Sequence, residues 1–248
     1  MSIFLLRFLG AAAGIVSMTA AVERGDLDEA ARQGALAGPN VVEHALRSKT
    51  RSTVLAGIVA APSTEDRAEL LPALARVAGG PDRRTAIPAA HAARTIAEQL
   101  AKKELADDLA ADDIQTWRAA FELLAITKGR AIEVRVAAIE TAAALEHVID
   151  PTQLGFDLAH ALADGDPLLR VAALELVPRP IAAALRATIV PVLGDADAAV
   201  TLAAAEALCA DAAEDRQAVK AALGADGLAK IKAIVKAHPN TDASRCLK

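Results

Sequence analysis

The chain has 248 residues, 54% of them hydrophobic by the usual count, yet it contains only four Phe, one Trp and no Tyr, so alanine supplies most of the apolar fraction. Alanine has the best intrinsic helix propensity and aromatics favour strands, which predicts an all-α fold before any pattern is read. A formal net charge of −5 argues against a general electrostatic attraction to nucleic acid.

The opening stretch, MSIFLLRFLGAAAGIVSMTAAVERGD, is apolar from Ile3 to Val22 apart from Arg7 and small residues. It reads as a secretory signal, with its charge at Arg7, an apolar region from Phe8 to about Met18, and Thr19 and Ala21 placed for cleavage before Val22. The charge comes late for that reading. The rivals are an N-terminal apolar helix covering the end of the fold, and a membrane anchor near the lower limit for spanning. Residues 1–21 are set apart on this ground. The signal reading places the mature chain in the periplasm or outside the cell, and the cap reading leaves it cytoplasmic.

Residues 22–112 read as degenerate helical repeats. Asp26 is placed to cap a helix with Leu27, Ala30 and Ala31 on one face, and Gly38-Pro39 stops it. Helices follow over 41–47 and 50–60, the second with Val54, Leu55, Ile58 and Val59 inward. Another is expected over 65–77, with Leu70, Leu71, Leu74 and Val77 inward and Pro72 near its start, ended by Gly79-Gly80-Pro81-Asp82. From Asp82 to Gln99, Ala86, Ala89, Ala90 and Ala93 share a face, and Pro88 is expected to bend that helix or shift its start. The charged piece from residue 100 to 112 reads as a seam, and Asp107, Asp108, Asp112 and Asp113 form an acidic patch within it or beside it.

Residues 113–237 are more regular. Helix 114–126, with Trp117, Phe121, Leu124 and Ala125 on its apolar side, is followed by helix 133–145. Helix 151–163, capped by Asp150, is followed by GDPLLRVAALELV, where Asp166 caps, Pro167 fits the first turn, and Leu169, Ala172, Ala173 and Leu176 form one stripe. The stripe returns 31 residues later as Asp197, Val200, Ala203, Ala204 and Ala207, and it occurs upstream as Val134, Ala137, Ala138 and Thr141. Helix 181–193, kinked by Pro191, precedes the Asp197 copy. Helices 213–223 and 228–236 close the array, with Lys230, Lys232 and Lys236 towards water. Residues 238–248 read as a loose tail. Stripes this narrow and alanine-rich bury little surface alone, so the helices must stack as a solenoid of about five or six pairs.

The pattern Asp166, Leu169-Arg170, Ala172-Ala173, seen in part as Val134-Arg135, Ala137-Ala138, resembles HEAT repeats, in particular the short HEAT-like repeats of the phycobilin-lyase type. The resemblance covers roughly residues 114–223. It departs at Thr201, where an arginine is usual, and at Ile132, where an aspartate is usual. It implies that Asp166 and Asp197 end inter-helix turns and that Arg135 and Arg170 brace adjacent repeats. It says almost nothing about activity.

Nucleotide-binding, zincin, nucleophile-elbow and C-x-x-C motifs are missing from the sequence, and its five histidines are never spaced i, i+4. No catalytic, cofactor or metal residue is assigned. The nearest thing to an acid/base cluster is Glu146, His147, Asp157 and His160, which would have to converge through the fold. Trp117 would be a binding anchor if it faced a groove, but with Phe121 one turn on it also suits a core. Arg83, Arg84 and Arg94 make a small positive cluster. Cys209 and Cys246, 37 residues apart, match no metal-ligand spacing; in an exported chain they could pair, and otherwise they are one core thiol and one terminal thiol.

The function expected is a non-catalytic protein-protein interaction scaffold with a protein partner, no cofactor and no nucleic acid, touching membrane only through residues 1–21 if these are retained. Candidate partner-binding residues are Arg135, Glu140, Arg170, Glu175 and Glu206, taken as outward positions on the inner helices. Asp166, Pro167, Leu169 and Asp197 are structural. The alternatives are an enzyme of the bilin-lyase-like group and a HEAT-like nucleic-acid-binding protein.

Overall fold

The computed structural model describes residues 2–102, 109–210 and 216–247, with side chains from Ala11 onward in the first stretch. The fold is all-α, and no strand occurs among the described residues. Contacts divide the chain into two compact units, Met1–Ile149 and Asp150–Lys248. The first contains α1 (Ser2–Glu23), α2 (Leu27–Ala37), α3 (Pro39–Leu46), α4 (Arg51–Ala60), α5 (Leu71–Ala78), α6 (Arg83–Ala101), α7 (Ala111–Ile126) and α8 (Ile132–Ile149). The second contains α9 (Leu158–Leu162), α10 (Pro167–Glu175), α11 (Ala183–Ile189), α12 (Ala198–Ala210) and α13 (Arg216–Ala237). Residues 103–108 of the seam expected over 100–112, with Asp107 and Asp108, fall outside the described residues, as does the start of the helix expected at Ala213.

In the first unit α1 packs on α2 and α4, with Met18 and Ala21 fully buried. Among the described residues, no helix is long and apolar enough to cross a membrane. The Asp26 carboxylate accepts from the Glu29 amide at 3.0 Å and starts α2. Leu27 was expected inward but lies 53% exposed; Ala30 and Gly34 face the core in its place. The reason is distance: a Cβ on Gly34 would sit 2.2 Å from Ala60 Cβ, so α2 and α4 approach too closely for large side chains at their crossing. The helix expected over 65–77 is broken into a 3₁₀ turn, Arg67–Leu70, and α5. Pro72 then occupies the first turn of α5, where its missing N–H leaves no bond unmade.

Asp82 caps α6, and the helix runs through Pro88 with Ala86, Ala89, Ala90 and Ala93 all buried. Pro88 shifts no boundary, because the carbonyl it leaves unbonded is that of Arg84, near the exposed start of the helix. Val134, Ala137, Ala138 and Thr141 are all buried on α8, which packs against both α6 and α7.

In the second unit the helix expected over 151–163 is reduced to α9. Asp150 accepts from the Thr152 amide and hydroxyl and forms a turn, and Asp157 is the residue that caps, through the His160 amide at 3.2 Å. Those two Thr152 hydrogen bonds hold the Asp150 carboxyl below the usual carboxylate range. Asp166 caps α10 through the Leu168 amide at 3.0 Å, and Asp197 accepts from Ala199 and Val200 at the start of α12. Leu169 and Ala173 are buried on α10, where Leu174 completes the core and Leu176, at the C-cap, is half-buried. A cis peptide precedes Pro180, and α11 passes into a 3₁₀ turn at Pro191. α13 merges the two helices expected there across a break at Gly224, whose φ of +59° suits glycine.

The tail expected to be loose is held in place. Asp242–Leu247 forms a 3₁₀ turn packed on α12 and α13, with Ala243 and Cys246 fully buried. Cys209 and Cys246 form a disulfide, and the Thr241 hydroxyl donates to Glu206 at 2.6 Å.

Candidate functional site

The four residues nearest to an acid/base cluster are divided between the units. In the first, Glu146 pairs with Arg118 at 3.1 Å beside the exposed His147. In the second, Asp157 is used as the cap of α9 and His160 is exposed. No group of three or more His, Cys, Asp or Glu side chains suited to a metal ion occurs among the described residues.

The charged positions expected to face a partner are mostly occupied within the fold. Arg135 was taken as outward, but it is only 6% exposed, and its Nε donates to the Ala125 carbonyl at 2.8 Å. That bond ties the end of α7 to α8. Glu140 accepts from Arg94 at 2.8 Å, an ion pair between α6 and α8 that raises the guanidinium pKa. Arg170 donates to the Asp164 carbonyl at 2.7 Å and to the Asp195 carboxylate at 3.1 Å. Asp164 and Asp195 in turn accept from the amides of Asp166 and Asp197, so Arg170 bridges two successive inter-helix turns. Glu206 receives Thr241, and Glu175 is exposed. Arg135 and Glu140 belong to the first unit; Arg170, Glu175 and Glu206 belong to the second.

The site with the features of a binding surface lies in the first unit, between α5 and α7. Phe121 and Ala125 turn into the core, while Trp117 and Leu124 are half-buried and Leu123 is 62% exposed. Leu71, Pro72 and Ala75 of α5 with Trp117, Phe121, Leu123 and Leu124 of α7 line an apolar groove of about 370 Å³. Sequence reasoning weighed Trp117 as an anchor but missed Leu123, which falls off the apolar stripe of α7. An apolar residue off the stripe was the available signal. In the second unit a more polar cavity of about 540 Å³ is lined by Thr152, Gln153, Phe156, Asp157, Pro180 and Leu185, among others.

Comparison with family models gave no match to this chain, and comparison with curated proteins gave none either.

Proposed function

We propose that the chain is a non-catalytic protein-binding scaffold built from HEAT-like helix pairs. The observation that carries this reading is the α5/α7 groove, where Trp117, Leu123 and Leu124 meet solvent although the surrounding stripes are consumed in packing. Aromatic and aliphatic side chains at a solvent-facing groove are what protein interfaces use as anchors. The Arg170 bridge between successive turns supports the HEAT-like part, because it holds neighbouring helix pairs in register. We place the chain in the periplasm or outside the cell, since a structural disulfide such as Cys209–Cys246 persists in oxidising compartments.

The test is affinity capture from native extract with the tagged chain and with Leu123→Ser, compared by quantitative mass spectrometry. Leu123 is exposed, so the variant is expected to fold. The reading predicts a defined set of proteins that the variant loses. An identical set with both chains, or no specific capture with either, overturns it.

A further inference from the structure

The far end of the α5/α7 groove is ringed by cations. A Cβ on Gly79 would lie 3.3 Å from Leu124 Cδ2, so the groove ends against the turn between α5 and α6. There Arg83 and Arg130 line a second cavity of about 300 Å³, with Ala78, Ala86 and Val134 among its apolar walls. Arg130 donates to the Gly80 carbonyl at 3.1 Å and Arg83 reaches Glu133 at 3.3 Å, which joins the α5–α6 turn to the α7–α8 turn as one edge. Arg76 lines the groove itself, the exposed Arg84 lies in the first turn of α6, and the exposed Lys128 lies on the α7–α8 turn.

Two carboxylates share this edge, and both are engaged. Asp82 accepts from the Arg84 amide and from Arg51, contacts that hold its pKa low, and Glu133 is taken by Arg83. The Arg84 charge acts on Asp82, while no ion pair with a carboxylate is formed by Arg76 or Lys128 among the described residues. A chain with a net charge of −5 therefore concentrates unneutralised positive charge where its apolar groove opens.

We propose that groove and edge form one docking surface for an amphipathic segment of a partner protein, in which large apolar side chains are followed by clustered Asp or Glu. This rests on the scaffold reading. The apolar side chains fill the groove beside Trp117 and Leu123, and the carboxylates reach Arg76, Arg84, Lys128 and the Arg83/Arg130 cavity. Charge complementarity of this kind sets orientation and speeds encounter, while the buried apolar anchors slow release. A nucleic acid would use the cations but leave the apolar groove empty, so the combination favours a protein segment.

The experiment places a photo-cross-linking residue at Leu123, at Lys128 and, in the second unit, at the exposed Glu175 of the full chain in its native cells. The expected result is one partner captured at both Leu123 and Lys128, through a segment with Leu, Ile or Phe beside an acidic cluster. A synthetic peptide of that segment should bind the purified chain, and Arg84→Glu with Lys128→Glu should weaken it at least about tenfold, with a marked salt dependence. Cross-linking to nucleic acid or lipid, a neutral or basic segment, or indifference to charge reversal overturns the inference. Capture at Leu123 through a neutral or basic protein segment leaves the scaffold reading standing and sinks this one, whereas capture of a protein at Glu175 alone sinks both. No adduct at any of the three positions sinks both.

Discussion

Replacing Gly34 by alanine separates two opposite expectations. On propensity alone, Gly→Ala within a helix gains about 1 kcal/mol. In this fold the new methyl would lie 2.2 Å from Ala60 Cβ, 3.1 Å from Ala60 Cα and 3.3 Å from Met18 Sδ, where ordinary contact begins near 3.4 Å. Two of those three atoms cannot rotate away, so α2 and α4 must separate by more than about 1 Å, disturbing the small-residue packing that joins α1, α2 and α4. Overpacking typically costs about 1–3 kcal/mol, and a clash this close belongs at or above the upper end, which leaves a net loss of about 2 kcal/mol or more after the propensity gain. Trp117 is the only tryptophan and lies in the same unit as Gly34, so its fluorescence during urea unfolding reports the unit of interest. Ala35→Gly, at an exposed neighbouring position, isolates the propensity effect. An unchanged or raised midpoint for Gly34→Ala would refute the close-approach argument.

Leu169→Asp puts an unpaired carboxylate at a fully packed position of α10 and should cost several kcal/mol, whereas Lys232→Asp should stay within about 0.5 kcal/mol; loss of helical circular dichroism on denaturation checks both, and equal midpoints contradict the burial. Glu29 is held at about 2, against a usual 4.5, first by the Arg32 hydrogen bond and then by that of Gln33. A folded pKa below the unfolded one means this contribution is complete above 4.5 and disappears as pH falls through 2. Arg32→Gln should move the Glu29 titration, followed by carboxyl NMR, back towards 4.5; a value still near 2 would show that the pair is not its cause. Cys246→Ser should release Asp242–Leu247 from α12, seen as faster amide exchange there, and the closed loop of 37 residues makes the bond worth about 3–4 kcal/mol. Unchanged exchange would mean that Thr241 and Ala243 hold the turn without it.

Helices were legible wherever a cap and a stripe coincided. Asp82, Asp166 and Asp197 each stand before a small-residue stripe, and the Val134 stripe lies buried against α6 and α7. Legibility failed where a local bond outcompeted the pattern. The Asp150–Thr152 turn interrupts an apolar run that otherwise reads as helix, and Leu27 loses its inward place to a glycine required by a close crossing. The tail looks loose because its composition is polar, and the contacts that give it a position, the disulfide, the Thr241–Glu206 bond and the burial of Ala243, are all tertiary. Two of the charged residues expected to face outward, Arg135 and Arg170, are engaged within the fold for a related reason. Sequence spacing puts Arg135 and Arg170 next to the stripe, and an arginine there can reach a carbonyl of the neighbouring turn, so it braces instead of facing out. The groove was half legible: Trp117 could be weighed as an anchor against a core residue, but the exposure of Leu123 had no signal beyond its place off the apolar stripe.

Hydrogen exchange with mass spectrometry, on the chain alone and with its captured partner, tests the scaffold claim most directly. The account predicts slowed exchange confined to α5, α7 and the turns at 79–82 and 128–131, with the second unit unaffected. Protection elsewhere, or none despite bound partner, would contradict it.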